Sequence, residues 1–192
     1  MLNVLSGFIP EHERVVVIED SAELQREQVE NIVRLECRSA NVQGKGGVDM
    51  AQLVKASLRL RPDRIVVGEV RGREVMDMIQ AMNTGHDGSM STGHANSIEG
   101  MLKRLEAMFM QAADFPVEAI RNQITEGIDI MVHMCRMRDG SRKVTEIAEI
   151  AGMEGGNITM NPLFRQGARV EGSRLIHREK MTLAGYGDAY YA

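Results

Sequence analysis

Apolar residues along this chain follow two periods. Short continuous runs rich in Val and Ile, at residues 15–18 (VVVI) and 64–68 (RIVVG), lie between polar or Pro-containing segments and read as strands buried on both faces. Elsewhere apolar positions recur every three to four residues. Met50, Leu53, Val54 and Leu58 share one face of a helix that Asp49 can cap, that runs to about Leu60 and that Pro62 stops. Val75, Met78, Ile79 and Met82 predict a second helix over residues 74–83, and Ile98, Met101, Leu102, Leu105, Met108 and Phe109 a third over 98–110. Pro116 opens a fourth, to about Glu126. Residues 1–8 read as the end of a helix that Pro10 cannot continue. Residues 33–38 fit a short strand, 88–93 a strand or tight turn, and 41–47 a loop; the polar stretch 24–32 fits no period.

Farther on, residues 130–137 and 143–151 are expected to pair around the turn Asp139-Gly140, with another strand at 157–164. Strands alternating with helices predict an α/β fold: a mostly parallel sheet flanked by helices, with the later strands antiparallel at one edge. Residues 1–165 then form one domain. Residues 166–192 are polar and Gly-rich, with aromatics only at Tyr186, Tyr190 and Tyr191, and are expected to be a loosely packed tail.

Composition removes several classes of function. With 23 Lys and Arg against 27 Asp and Glu, a net charge of -4 gives no broad basic face for nucleic acid or anionic lipid. The two cysteines, Cys37 and Cys135, lack metal-ligand spacing and read as reduced thiols. Purely apolar runs stop at about four residues, so no membrane-spanning helix is expected. Residues 1–14 lack the pattern of a signal peptide. Fifteen methionines and no tryptophan describe a core filled largely by flexible side chains.

Three segments carry candidate chemistry. VVVIEDSAELQ puts Glu19 and Asp20 at one strand end. RPDRIVVGEVRG puts Glu69 at the end of a neighbouring strand, with Arg71 just beyond. GHDGSMSTGHANS brings His86, Thr92 and His94. In α/β folds ligands collect at the carboxyl ends of strands. Hydrolysis of a nucleoside triphosphate needs carboxylates that hold magnesium through water, a group that orients the attacking water, and donors near the γ-phosphate. Glu19 and Glu69 have the chemistry for the first role, His86, His94 and Arg71 for the donors, and the Thr92 hydroxyl for contact with the γ-phosphate. Each has a plainer reading. A lone acid after a strand is usually a solvated turn, the arginines at 61, 64, 71 and 73 can form a solvated rim, and two histidines eight apart with no third ligand make a poor zinc site. Order and spacing together say more than any one residue.

In that order and spacing the chain resembles, over roughly residues 1–165, the C-terminal half of the type II/IV secretion and pilus-assembly ATPases, most nearly the CpaF/TadA-like branch that assembles Flp pili. VIEDSAELQ resembles that family's Asp box. LVKASLRLRPDRIVVGEVRG resembles its atypical Walker B segment, with Glu69 at the place of the Walker B glutamate. AMNTGHDGSMSTGHANS resembles its His box, and VTEIAEIAGMEGGNITMNPLF the stretch that closes the catalytic domain. The resemblance implies a RecA-like P-loop NTPase fold, ATP and Mg2+ as ligands, and a cytoplasmic hexamer docked on an inner-membrane platform protein, driving pilus extrusion or protein secretion. It implies Glu19 and Glu69 as catalytic acids, with base and magnesium holder undivided between them. His94, and secondarily His86, would sense the γ-phosphate, and Arg71 would link the Walker B strand to that loop or to a neighbouring subunit.

The family's glycine-rich loop, G-x-x-x-x-G-K-[ST], precedes the helix that residues 1–8 match, and no such motif occurs in these 192 residues. Gly44-Lys45-Gly46-Gly47 lacks the Ser/Thr and the strand-to-helix context. The family's N-terminal domain has no counterpart here either. The expectation is therefore a catalytic-domain fragment that binds ATP poorly by itself. Two alternatives stand beside it: a catalytically inactive interaction fragment of the same machine, and a conjugative DNA-transfer ATPase, since substrate choice does not reside in these motifs.

Overall fold

The computed structural model describes residues 1–22, 24 and 30–187. Tyr190, Tyr191 and residues 25–29 of the stretch without a period lie outside them. The chain divides into two units, Met1–His94 with Arg104–Phe115, and Ala95–Lys103 with Pro116–Ala192.

The first unit contains α1 (Leu2–Ser6), β1 (Val15–Glu19), β2 (Ile32–Glu36), α2 (Met50–Ser57), β3 (Arg64–Val67), α3 (Glu74–Met82) and β4 (Met90–Ser91). Its four strands run parallel in the order β2-β1-β3-β4. Val15, Val16, Val17 and Ile18 of central β1 are at most 1% exposed, because both faces are covered, which is why their apolar run is continuous rather than alternating. Ile9, Leu24 and Val66 pack with Val15 and Val17 beneath the sheet's first strands. The helix predicted to reach Leu60 ends at Ser57 and tightens into a 3-10 turn over Leu58–Leu60. Arg61 then turns left-handed (φ 52°), since the ring of Pro62 disfavours a helical residue before it.

Asp49 caps α2. It accepts from the Gln52 N–H at 2.8 Å, and the Gln52 side chain accepts from the Asp49 N–H at 2.9 Å. Its other oxygen pairs with Arg73 at the entry to α3. The cap bond first, then Arg73, hold its carboxyl below the usual range. Asp49→Ala is expected to cost about 1 kcal/mol of stability at pH 7. A folded-state pKa below the unfolded value means that this stability is complete above the ordinary value of 3.8 and fades as pH falls through the depressed one. Urea titrations should therefore separate wild type from variant at pH 7 and bring them together in strong acid.

The second unit contains α5 (Val117–Gly127), β5 (Ile130–Arg136), β6 (Arg142–Glu154), β7 (Asn157–Arg165), β8 (Ala168–Arg169) and α6 (Glu179–Leu183). Helix α4 (Ile98–Ala112) is divided between the units at Lys103. The later strands do not extend the edge of the parallel sheet, as their sequence had implied. They form a separate antiparallel sheet, β5-β6-β7-β8. Strand β6 has a hairpin partner on each side, so both of its hydrogen-bonding edges are satisfied inside the unit. Ala148 and Ile150 of β6 are buried, as are Ile120 and Ile124 of α5, which packs on β6 and β7.

Residues 166–177, within the stretch expected to be a loosely packed tail, make defined bonds to the sheet. Gln166 (φ 52°) and Gly167 (φ 87°) make a two-residue turn that pairs β8 with β7. Beyond it, Glu149 of β6, 2% exposed, gathers the chain. Its carboxylate accepts from the N–H groups of Ile176 (2.8 Å) and His177 (2.7 Å) and from the Asn161 amide (2.9 Å). The Ser173 hydroxyl donates to the Pro162 carbonyl at 2.7 Å, and Lys180 pairs with Asp129 at 3.0 Å. Ser173, Ile176 and His177 thus tie this stretch to the sheet. Glu149→Ala leaves three donors without their acceptor and should cost about 3 kcal/mol. The loss should appear in urea denaturation, and amide exchange should accelerate at Ile176 and His177; an unchanged midpoint with unchanged protection contradicts the latch.

Candidate functional site

The carboxyl ends of β1, β3 and β4 lie side by side in the first unit. In the β1–β3 register Ile18 stands beside Val67, and the Gly68 N–H continues the ladder to the Ile18 carbonyl at 2.8 Å. One step further, Glu19 stands beside Gly68. A Cβ on Gly68 would lie 3.2 Å from the Glu19 Cγ, so glycine makes room for that side chain. Side chains alternate across a strand. Glu19 and Gly68 share one face, and Asp20 and Glu69 share the other.

That alternation separates the two glutamates expected to act together. Glu19 is 5% exposed. One oxygen accepts from the Leu24 N–H at 2.9 Å, and the other lies 3.9 Å from Arg34. Glu69, whose side chain is 21% exposed, opens onto a pocket of about 190 Å³ lined by Asp20, Asp49, Glu69, Arg71, Arg73 and Glu74 with two α2 residues. Glu19 does not line it. Asp20 is the acid that meets Glu69, through Arg71: its Nη1 lies 3.0 Å from Asp20 and its Nη2 2.7 Å from Glu69. The remaining Glu69 oxygen is 3.2 Å from His94 Nε2.

The turn that carries these groups is fixed from below. Buried Glu74, in the first turn of α3, accepts from the main-chain N–H groups of Arg71 (2.6 Å) and Gly72 (2.9 Å). The Thr92 hydroxyl donates to the Gly68 carbonyl at 2.5 Å, and Val70 N–H donates to the Thr92 carbonyl at 2.9 Å. Thr92 thus ties the exits of β3 and β4 together, and its proton is committed to the backbone rather than to a phosphate. His86 is not brought to the site. Its Nδ1 donates to the Ala81 carbonyl at the end of α3 (3.0 Å), and its own carbonyl accepts from Ser89, whose hydroxyl holds the Ile65 N–H where β3 begins. A parallel strand separates its entry from its exit, so His86 lies at the opposite end of β3 from Glu69.

Sequence reasoning left Asp20, Asp49, Arg73 and Glu74 out of the site. The signal for Asp20 was present: two parallel strands ending in register set Asp20, not Glu19, beside Glu69. The others join through tertiary packing alone. Both cysteines are free. Burial, followed by a hydrogen bond to Asp20 and that residue's charge, pushes the Cys37 thiol up to about 11, so it stays protonated and unreactive at neutral pH.

The oxygen donors suit magnesium. Among the described residues no three metal-ligating side chains converge on one point. Mg2+ instead keeps most of its waters and takes one or two carboxylates plus phosphate oxygens. Glu69 and Asp20 face one pocket and already share a cation, the guanidinium of Arg71. No helix among the described residues is long and apolar enough to cross a membrane.

Comparison with known proteins places this geometry in context. The profile of a family described as "Type II/IV secretion system protein" matches residues 1–170. A putative conjugal transfer protein of Mycobacterium tuberculosis is 41% identical over 155 residues, covering 81% of this chain and 44% of that protein. The conjugal transfer protein TrbB of Rhizobium radiobacter is 39% identical over 140 residues (73% and 40%). The type IV secretion system protein PtlH of Bordetella pertussis is 37% identical over 152 residues (77% and 45%). The chain thus spans less than half the length of each of these relatives. Among solved structures, the VirB11 ATPase of the Brucella suis type IV secretion system, in complex with sulphate, superposes with a TM-score of 0.69 at 32% identity, over 77% of this chain and 43% of that one.

Proposed function

The chain belongs to the type II/IV secretion system protein family, and from that premise we propose that it is the carboxyl-terminal part of a RecA-like ATPase domain in a hexameric secretion or pilus-assembly motor. The observation that carries the reading is the cluster Asp20–Arg71–Glu69–His94 at the carboxyl ends of β1, β3 and β4. The family match and the likeness to the VirB11 ATPase support it. The motor would serve Flp-type pilus assembly of the CpaF kind or a type IV secretion system, working in the cytoplasm against an inner-membrane platform protein.

Magnesium bound with ATP would supply charge neutralisation at the phosphates, and Glu69 with Asp20 would hold it through water. Glu69 would also orient the attacking water. Its second oxygen holds the exposed His94 imidazole at 3.2 Å, and that ring would turn an N–H to a γ-phosphate oxygen. Glu19 is buried and bonded to the Leu24 N–H, whereas Glu69 opens onto the pocket and is assigned the metal-facing role. Glu74 holds the turn in position without touching substrate.

A second reading has its own observation. Two of the relatives compared, at 41% and 39% identity, are named as conjugal transfer proteins. In that reading the same hydrolysis drives transfer of DNA rather than of pilin or protein. Phosphate release by a full-length protein carrying this chain tests both. Turnover that depends on Glu69 supports the ATPase, stimulation by single-stranded DNA favours conjugal transfer, and absence of turnover leaves an inactive interaction fragment.

A further inference from the structure

We propose that Arg71 is a resident counter-ion that occupies, between Asp20 and Glu69, the place of the hydrated divalent cation, and that it must leave before the cation enters. The inference rests on the reading of Glu69 as the metal-facing acid. It adds a competition within this chain that sets how readily metal is admitted.

Two carboxylates on the same face of adjacent strand ends repel each other unless a cation lies between them. Here that cation is covalently attached. Separate nitrogens of one guanidinium reach Asp20 at 3.0 Å and Glu69 at 2.7 Å. A magnesium ion held through water has its metal–oxygen bonds at about 2.1 Å and its carboxylates one hydrogen bond further out, roughly 4 Å from the metal. A guanidinium carbon bonded through its N–H groups stands at about the same distance from its carboxylates. The two cations claim one volume and the same acceptor oxygens, so they exclude each other.

The local structure allows the exchange. The Arg71 main chain is anchored by Glu74 at 2.6 Å, so the backbone turn need not change. The side chain is 64% exposed, so a displaced guanidinium is hydrated. Ion pairs as exposed as these are weak, so a divalent cation arriving with a triphosphate can displace them. Arg73 provides an internal contrast. It borders the same pocket but pairs with Asp49 rather than with Glu69 or Asp20.

Manganese alone is a sufficient probe, counted as free Mn2+ by electron paramagnetic resonance in titrations of the 192-residue protein. Arg71→Gln should bind Mn2+ roughly 5- to 30-fold more tightly than wild type. Arg73→Gln should stay within about twofold, because removing a nearby charge is not enough without vacating the shared oxygens. Glu69→Gln added to Arg71→Gln should abolish the gain. Arg71→Lys, whose compact ammonium cannot span both acids, should show a smaller gain of about 2- to 5-fold. It decides the matter if the glutamine variant does not fold. Equal or weaker Mn2+ binding in the Arg71 variants overturns the inference, as does an equal gain in Arg73→Gln. The Mn2+ titration needs no nucleotide, so its outcome is separate from that of phosphate release. Turnover with Arg71-independent Mn2+ affinity removes the counter-ion alone; the Mn2+ gain without turnover removes the motor alone.

Discussion

The 192-residue polypeptide should show no saturable binding of Mg-ATP below the millimolar range in isothermal titration, at least about 1,000-fold weaker than a micromolar site. Two physical causes combine. A phosphate cradle made of a glycine-rich loop, its lysine and a helix N-terminus supplies several charge-assisted hydrogen bonds, each contributing about 1.5–3 kcal/mol. No G-x-x-x-x-G-K-[ST] sequence is available here to make them. The second cause lies in the pocket itself. Among the described residues, Asp20, Asp49, Glu69 and Glu74 line it with Arg71 and Arg73, and both arginines are paired with carboxylates. A triphosphate approaching without its metal meets net negative charge. Micromolar affinity in the titration would show that another set of donors in this chain cradles phosphate, and the assignment of the site would fall with it.

In a full-length protein that contains this chain, Glu69→Gln should lower kcat for ATP hydrolysis by about 1,000-fold, within the range spanned by positioned acid–base groups. The substitution keeps the shape and one acceptor oxygen but removes the charge that orders metal-bound water. Arg71 would lose its ion pair with Glu69 and His94 its carboxylate partner. ATP binding should change far less than turnover, because phosphate contacts lie elsewhere. Steady-state phosphate release with a parallel nucleotide-binding measurement separates these effects. Turnover within tenfold of wild type would remove Glu69 from the chemistry and point to Glu19, which would then have to move out of its bond to Leu24.

The covered strands and the principal helices were legible because their patterns are local. A run such as VVVI has a single stable use, burial on both faces, and the Asp49/Gln52 cap is written within four residues. The position of Glu69 and Arg71 was legible for the same reason: each lies just past a strand whose end the glycine and the charge mark. Sequence proximity to a strand end does not say which partners a side chain takes: Glu19 is bonded to the Leu24 N–H, and Asp20 shares Arg71 with Glu69. Thr92 and His86 shared a motif with His94, yet a short strand and one turn carry them to different partners.

By itself, then, the order of residues determined the strands and helices, the apolar interior and the acids that stand at strand ends, since each follows from local periodicity and side-chain chemistry. Tertiary structure alone decided three things: that the later strands close into their own sheet, that a buried Glu149 holds Ile176 and His177, and that Arg71 bridges Asp20 and Glu69. Those outcomes depend on register and on hydrogen-bond partners far apart in the chain, and neither leaves a mark in local composition.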